Sequence, residues 1–271
     1  MTRHTFQSFW SGGTLSPYEV LCLKSFIACG HGFDLYTFDR EMAVPTGVRV
    51  CDASELVSED QFFVYQTGFG QGSPSAFANL FRYKLLADRG GWWTDTDVVC
   101  LSGEVPVFAE FFARQDDKFI NGALLYFEAH DPVMEHCLDE AVKSGRNVRW
   151  GETGPQLFTR ALQQFGRTDR AALPEICYPL HWKEALEVMR PSQASALAER
   201  TRSSLFLHLW NERFRAAGIQ KTHLPPKNSL LRGLIDRHQV EGWIGEYDEM
   251  RVEEIVTREK VKRLLSFGPD K

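Results

Sequence analysis

Strand-like and helix-like segments alternate along the first part of the chain, and this order constrains the fold more than any other feature. Two helices are predicted, one from Pro17 to Gly30 and one from Pro74 to Gly90. Apolar or alternating runs typical of strands lie around them, at residues 5–10, 33–38, 48–51, 92–94 and 98–101. This β-α-β order, with a further helix and strand, predicts an α/β fold whose sheet carries helices on its faces. Ligands of such folds bind outside the carboxyl ends of the strands.

Local signals mark the ends of the two predicted helices. Ser16, Pro17 and Glu19 form the pattern of a capping box at the start of the first helix. The second helix has apolar residues at spacings of three and four, at Phe77, Leu80, Phe81 and Leu85. Gly90 and Gly91 follow it, as glycines often follow helix ends. Both helices therefore have defined positions, and the second has one face to bury.

The second half of the chain is less regular. The predicted elements are strands over residues 119–127 and 205–210, helices over residues 131–143 and 250–265, and a turn at 151–155 that precedes a further helix. No internal repeat, low-complexity tract or long linker interrupts the sequence. We therefore expect a single domain over residues 1–271.

Composition narrows the class of protein. The chain is 43% apolar and 25% charged, as in an ordinary globular protein. It has 31 basic and 36 acidic residues and a formal net charge of −5, which argues against sequence-independent nucleic-acid binding. Aromatic residues make up 13%, a surplus that predicts either a heavy core or flat surfaces for planar or sugar-like ligands.

Cysteine usage and hydropathy favour a cytoplasmic protein. The six cysteines form no CxxC pair, which favours buried free thiols in a reducing compartment. The N-terminal residues lack the apolar run of a secretory signal, and no stretch approaches the ~20 apolar residues of a membrane span. Basic and apolar residues of the predicted helix 250–265 spread around more than one face, which favours a docking helix. Peripheral contact with the inner face of the membrane stays open.

Asp95 and Asp97 follow the predicted strand 92–94. Two carboxylates one residue apart can both reach one hard cation, such as Mg²⁺ or Mn²⁺, which often completes its shell with substrate phosphates. Such a metal neutralises the charge that develops on a diphosphate leaving group. The bare Asp-x-Asp pattern is weak, because an acidic chain contains about one such pair by accident.

The residues before the pair make the pattern more specific. The run contains Arg82-Tyr83 within the second helix, then Gly90-Gly91, Trp92-Trp93 and Asp95-Thr96-Asp97. In this run the chain resembles the glycosyltransferases with a DXD sugar-binding motif, which are distantly similar to clostridial glucosylating toxins and to mannosyl- and galactosyltransferases. The resemblance is tight over residues 73–101, looser over 9–38 and thin over 119–211. It implies the GT-A fold, with a mixed, mostly parallel sheet flanked by helices.

The resemblance also implies different functions for different parts of the chain. Residues 1–101 would be the nucleotide-sugar-binding half, residues 102–245 the acceptor-side half and residues 246–271 a C-terminal helix. Asp97 would ligate Mn²⁺ or Mg²⁺, with Asp95 near the metal and the ribose. Arg82 would reach the donor sugar or the diphosphate.

Further roles are implied for residues elsewhere in the chain. His208 would add a metal contact, which suits Mn²⁺ better than Mg²⁺, and Trp210 would lie over the diphosphate. Trp10 would stack on the base, and Tyr36 would line the same pocket. Asn79 stands where many members have Asp, and an amide still hydrogen-bonds a sugar hydroxyl.

Trp93, Asn121 and Glu152 are expected to contact the acceptor or the sugar. For each of these positions a plainer role stays open: a core tryptophan, a simple turn and a helix-capping glutamate. Trp92 and Trp93 should point to opposite sides of their strand.

The implied reaction is metal-dependent transfer, with retention at the anomeric carbon, from a nucleotide-diphosphate sugar. A UDP-sugar donor is favoured, and a glycan or lipid-linked glycan acceptor in polysaccharide biosynthesis follows by analogy. Two alternatives stay open. One is a haloacid-dehalogenase-like phosphatase that uses Asp95 as nucleophile, and the other is a non-catalytic sugar-nucleotide-binding module.

Overall fold

The computed structural model describes residues 2–266. The strands are β1 (Thr5–Phe9), β2 (Gly32–Thr37), β3 (Val48–Asp52), β4 (Gly91–Thr94), β5 (Val98–Cys100), β6 (Phe111–Arg114), β7 (Ile120–Phe127), β8 (Phe206–His208), β9 (His223–Leu224) and β10 (Gly245–Glu246). The α-helices are α1 (Pro17–Ala28), α2 (Ser75–Arg89), α3 (Pro132–Ser144), α4 (Leu157–Gln164), α5 (Pro174–Cys177), α6 (Ala194–Arg200), α7 (Asn211–Ala217), α8 (Leu230–Arg237) and α9 (Glu249–Ser266).

The central sheet has six strands in the order β3-β2-β1-β4-β7-β6. β1 pairs in parallel with β2 and β4, and β2 pairs in parallel with β3, whereas β7 is antiparallel to β4 and β6. The predicted α/β fold with a mixed, mostly parallel sheet flanked by helices is confirmed. The division of the chain into functional halves stays a prediction.

The strand order creates a crevice between β1 and β4. The chain proceeds from β1 through β2 to β3 on one side, and then returns to place β4 on the other side of β1. The connections that leave the carboxyl ends of β1 and β4 diverge at such a point, which is where open α/β sheets bind ligands. Trp10 follows β1 and Asp95 follows β4, so both lie at this edge.

A short antiparallel pair joins β5 to β8, with Val98 opposite His208. This pairing brings the segment after the Asp pair next to a segment more than a hundred residues later. The predicted strand over residues 205–210 is too long. Trp210 has a φ of 59° and a ψ of 54°, a left-handed conformation that ends the extended chain before α7.

Both faces of the central sheet are packed. Trp92 lies against Phe6 and Phe206 in one core cluster, whereas Trp93 lies in the other cluster with Phe81. Both tryptophans are buried, and their places in the two different clusters confirm that they point to opposite sides of the strand. Much of the aromatic surplus therefore fills the core, where large rings contribute most of the buried apolar area.

The helix predictions are confirmed to within a few residues, and the capping box is present. The Glu19 carboxylate accepts a hydrogen bond from the Ser16 backbone N–H at 3.1 Å and another from the Ser16 hydroxyl. The structure adds β6, β9, β10 and α5 to α8, which the sequence patterns did not predict.

The C-terminal helix α9 packs on the body of the protein through its first turns. Val252, Ile255 and Val256 are buried there, as expected of a docking helix. Val261 and the two leucines that follow on the same helix are exposed. Residues 267–271, the end of the predicted C-terminal segment, lie outside the described residues. None of the helices between residues 2 and 266 combines the length and apolar character that a bilayer span requires.

Gly90 joins α2 to β4. Its backbone conformation is unfavourable for any other residue, and the space around it leaves no room for a side chain. Its φ is +64°, and a Cβ there would lie 2.8 Å from the carbonyl carbon of Glu128 and 2.9 Å from the carbonyl oxygen of Phe127. Gly145 has nearly the same backbone, with a φ of +66°, but a Cβ there would meet no atom of the described residues within 4 Å. Substitutions at Gly90 and Gly145 can therefore separate the effect of backbone strain on stability from the effect of steric overlap.

We expect Gly145→Ala to lower the free energy of unfolding by the strain alone, about 1–3 kcal/mol. Gly90→Ala should lower it by about 1–3 kcal/mol more, because the methyl group overlaps the backbone at the end of β7. Urea denaturation of both variants measures the difference. Equal losses in the two variants would contradict the close packing of this joint.

Candidate functional site

A cleft of about 720 Å³ opens at the carboxyl ends of β1 and β4, within the size range of small-molecule sites. The acidic and basic residues that line it, besides His208, are Glu19, Arg82, Asp95, Asp97, Glu212, Arg213 and Lys221. Its aromatic lining residues are Phe9, Trp10, Tyr65, Phe69, Trp93, Trp150, Trp182 and Trp210. The cleft thus combines fixed charges with flat apolar surfaces.

Asp95 is held by two donors from its own half of the chain. Its Oδ1 accepts hydrogen bonds from Arg82 Nη2 and from Trp93 Nε1, each at 2.8 Å. The Arg82 guanidinium also lies 5.1 Å from the Trp93 ring centroid, a cation–π distance. Arg82 is only 5% exposed, and a Cβ at Gly122 would overlap its Nη1. The side chains of Arg82 in α2 and Trp93 in β4 therefore fix the orientation of the Asp95 carboxylate, and Gly122 in β7 leaves space for Arg82.

Asp97 is held by residues from the far end of the chain. Its Oδ1 lies 3.1 Å from His208 Nε2, and its Oδ2 accepts a hydrogen bond from the Asn211 backbone N–H at 2.8 Å. Burial alone would raise the pKa of Asp97, but His208 and the Asn211 N–H outweigh it and hold that pKa below its ordinary value. Asp97 is therefore a carboxylate at neutral pH.

Asp95, Asp97 and His208 form a cluster whose ligand atoms all lie within 4.8 Å of one another. Two carboxylates and an imidazole suit a transition metal such as Mn²⁺. The Nε2 atom of His208 faces Asp97, and its buried Nδ1 atom has no hydrogen-bond partner among residues 2–266. The donor set fits a divalent cation.

The residues that hold Asp97 belong to a buried hydrogen-bond network. The left-handed turn at Trp210 directs the Asn211 N–H to Asp97, while Asn211 Nδ2 donates to Glu19 Oε1 at 2.8 Å. Glu19 is fully buried and also pairs with Lys221. A buried carboxylate needs such partners, because desolvation of an unpaired charge is unfavourable.

The sequence patterns did not indicate Asn211 or Lys221 as site residues. They indicated Glu19 only as part of a capping box. Glu19 performs that capping role and reaches across to residues about two hundred positions away as well. The asparagine beside Trp210 was visible in the sequence, but its contact with Asp97 depends on a backbone turn that the pattern predicted as strand.

The structure places Asn79 and Tyr83 on the wall of α2 that faces the turn at residues 152–156. Asn79 lines the cleft and is 7% exposed, and a Cβ at Gly154 would lie 3.1 Å from its Nδ2. The Tyr83 hydroxyl donates to the Thr153 carbonyl oxygen at 2.9 Å. Tyr83 thus fixes this turn to the helix that carries Arg82.

Trp10 and Asn121 both line the cleft. Trp10 Nε1 donates to the Gly13 carbonyl oxygen at 2.8 Å, which holds the ring against the loop between β1 and α1. Asn121 lies within β7 rather than in a simple turn. Its amide donates to Gln115 Oε1 and its Oδ1 accepts from the Ala123 N–H, both at 2.7 Å.

Two predicted site residues are not brought into the cleft. Tyr36 is 3% exposed in the core, and its hydroxyl accepts a hydrogen bond from Arg89 Nη1 at 3.1 Å. Glu152 accepts a hydrogen bond from the Arg149 backbone N–H at 2.8 Å, a local contact of its own turn. Neither side chain is among the residues that line the cleft.

Comparison with known sequences points to one class of enzyme. Residues 126–238 match the family described as the alpha 1,4-glycosyltransferase conserved region. The chain is 25% identical over 174 residues to the alpha-1,4-N-acetylglucosaminyltransferase of Homo sapiens, covering 58% of this chain and 48% of that protein. It is 24% identical over 183 residues to an uncharacterized protein of Arabidopsis thaliana, covering 60% of this chain and 27% of that protein. The chain thus spans about half or less of the length of these curated relatives.

Two solved structures are also similar. The PaToxG glycosyltransferase gives a TM-score of 0.46 at 13% identity, covering 88% of this chain and 84% of that one. The apo-form glycosyltransferase GlyE of Streptococcus pneumoniae TIGR4 gives a TM-score of 0.43 at 13% identity, covering 97% of this chain and 64% of that one.

The predicted resemblance to glycosyltransferases is confirmed by the sequence matches. The matched region, residues 126–238, contains His208 and Asn211. Asp95 and Asp97 precede this region, and they carried the resemblance in the sequence. The structure joins the two parts, because both contribute to the Asp–Asp–His cluster.

The network behind Asp97 should be important for stability. We expect Glu19→Gln to lower the free energy of unfolding by about 1–3 kcal/mol, because it removes the partner of Lys221 and weakens a buried acceptor. The matched control is Glu254→Gln, which alters an exposed ion pair with Arg251 and should change stability by less than about 1 kcal/mol. Urea denaturation compares them. An effect of Glu19→Gln as small as that of the control would show that the network is not a structural support.

Proposed function

We propose that this protein is a metal-dependent glycosyltransferase that moves a sugar from a nucleotide-diphosphate sugar, UDP-linked, to a hydroxyl group of a glycan or lipid-linked glycan. The observation that carries the proposal is the cluster of Asp95, Asp97 and His208 beside Arg82, at the switch point of the sheet. The relationship to glycosyltransferases supports the reaction class.

The charges of the cluster suit a diphosphate only when a cation is bound. Asp95, Asp97 and Arg82 together carry one net negative charge, which would repel a diphosphate. Asp95, Asp97 and His208 would hold Mn²⁺, which neutralises negative charge on the departing nucleotide as a Lewis acid. Arg82 compensates Asp95 and adds a fixed positive charge at the same place, so the residues stabilise the leaving group by preorganised electrostatics.

Other residues of the cleft would orient the donor. Trp10 presents a ring at the carboxyl end of β1 for the nucleotide base, and Trp210 lies beside His208 with 4.0 Å between ring centroids. We assign Trp210 to the diphosphate side for this reason. Asn79 faces the cleft with an amide that can hydrogen-bond the hydroxyl groups of the donor sugar.

The carboxylates of the cleft favour transfer without a covalent sugar–enzyme intermediate. Glu19 pairs with Lys221 and Asn211, and Glu212 accepts from Arg215 Nε at 2.8 Å. Asp95 and Asp97 belong to the metal cluster. With these carboxylates engaged, the acceptor oxygen would bond to the anomeric carbon on the face that the nucleotide leaves. The acceptor proton would pass to the departing diphosphate oxygen, and the anomeric configuration would be retained.

The two alternative functions have less support. A phosphatase would need Asp95 as a free nucleophile, but its Oδ1 is bound by Arg82 and Trp93. A non-catalytic binding module would keep the cleft yet transfer nothing, and turnover assays distinguish it directly.

We expect Asp97→Ala to abolish sugar transfer and donor hydrolysis, with a loss of at least about 100-fold, because it removes a metal ligand at the leaving group. The control is Asp139→Ala on the exposed face of α3, which should keep wild-type turnover. The measurement is UDP release from a panel of UDP-sugars with Mn²⁺ present. Unchanged turnover in Asp97→Ala would overturn the metal role.

A further inference from the structure

Three of the aromatic side chains that line the cleft have no role in the proposed donor site. We call Tyr65, Phe69 and Trp150 the aromatic rim. The Tyr65 and Trp150 ring centroids lie 5.2 Å apart at an interplanar angle of 40°, and those of Phe69 and Trp150 lie 5.1 Å apart at 85°. All three residues line the same cleft as Asp95 and Asp97. The rim is therefore continuous with the candidate active site.

The loop before α2 is shaped to hold Phe69 at the surface. The Tyr65 N–H donates to the Ser73 carbonyl oxygen at 3.0 Å, and the Gly72 N–H donates to the Tyr65 carbonyl oxygen at 2.9 Å, which closes the loop. Gly70 has a φ of +84°, and a Cβ there would overlap the Trp150 ring. Trp150 thus packs closely against the loop at Gly70, and this packing supports the position of Phe69.

Phe69 is 50% exposed although it belongs to this ordered aromatic group. Tyr65 is only 2% exposed and its ring lies against Trp150, so the rim combines a buried ring with an open apolar surface. Exposed apolar surface that continues into a cleft is typical of a ligand-binding area. The rim residues carry no charge, which distinguishes them from the residues around Asp95.

An uncharged ligand with one flat apolar face fits this surface. The face of an aromatic ring carries partial negative charge, and the C–H hydrogens on one side of a pyranose carry partial positive charge, so the two stack. Hydroxyl groups at the edge of the same sugar would find the amides of Gln115 and Asn121, which also line the cleft.

We propose that the aromatic rim is the acceptor subsite, where a pyranose ring of a neutral glycan stacks on the exposed ring of Phe69, which Trp150 supports in an edge-to-face contact. This assignment rests on the proposed glycosyltransferase function and adds the class of acceptor to it. The donor occupies the part of the cleft around Asp95 and Asp97, and the acceptor sugar occupies the part at the aromatic rim.

The test uses Phe69→Ala, Phe69→Tyr and the control Phe165→Ala. Phe165 is 37% exposed at the end of α4 and does not line the cleft. The probes are lactose, maltose and cellobiose. Saturation-transfer NMR measures their binding to each protein, and transfer from the UDP-sugar that the wild type hydrolyses gives the KM for each disaccharide.

We expect at least one disaccharide to bind the wild type, and Phe69→Ala to weaken that binding and raise the KM for the sugar about 2- to 10-fold, the range for one lost stacking contact. The loss should fall on the KM of the disaccharide rather than on that of the donor. Phe69→Tyr should restore binding because it keeps the ring, and Phe165→Ala should match the wild type.

Two results would overturn the proposal: no binding of any of the three sugars to the wild type, or equal binding and KM in wild type and Phe69→Ala. Sugar binding that depends on Phe69 without any UDP release by the wild type would overturn the proposed transferase function instead. That result would leave the rim as a glycan-binding surface, so the two failures are distinguishable.

Discussion

The ion pair between Arg82 and Asp95 is the contact on which the arrangement of the cleft depends. Arg82 is 5% exposed, and a buried guanidinium is unfavourable unless a carboxylate compensates it. That requirement places Asp95 against α2 at the end of β4, with Trp93 as its second donor. Asp97 is only two residues further along the chain. The position of Asp95 therefore limits where the Asp97 carboxylate can lie, and it lies beside His208 in β8. The charge pair thus links the packing of the sheet to the geometry of the proposed metal site.

The second constraint is that the two halves of the chain must meet at Asp97. Pairing of β5 with β8 places Val98 opposite His208, and the left-handed turn at Trp210 presents a backbone N–H to the same carboxylate. Backbone strain of this kind is found where the surrounding structure determines it and where a site uses it. Neither half could form the Asp–Asp–His cluster alone, so folding and assembly of the proposed site are one event.

Local signals predicted much of this molecule. The capping box at Ser16 placed α1, and the apolar stripe of α2 with the glycine at its end placed the helix that carries Arg82. The Asp-x-Asp pattern with its flanking residues indicated Asp95 and Asp97. The contacts of Glu19 with Asn211 and Lys221 were not predictable, because they join residues about two hundred positions apart and depend on how loops pack. The placement of Tyr36 was an inference from one strand, whose side-chain direction is not enough to tell cleft from core.

The most direct test of the metal site is anomalous diffraction from crystals of the protein soaked with MnCl₂ and UDP, collected at the manganese absorption edge. We expect one strong peak within coordination distance of Asp97, with Asp95 and His208 around it and the UDP diphosphate on its open side. The same crystals of Asp97→Ala should lose the peak. A manganese peak elsewhere in the cleft, or UDP bound at the aromatic rim without a metal, would show that Asp97 does not hold the metal.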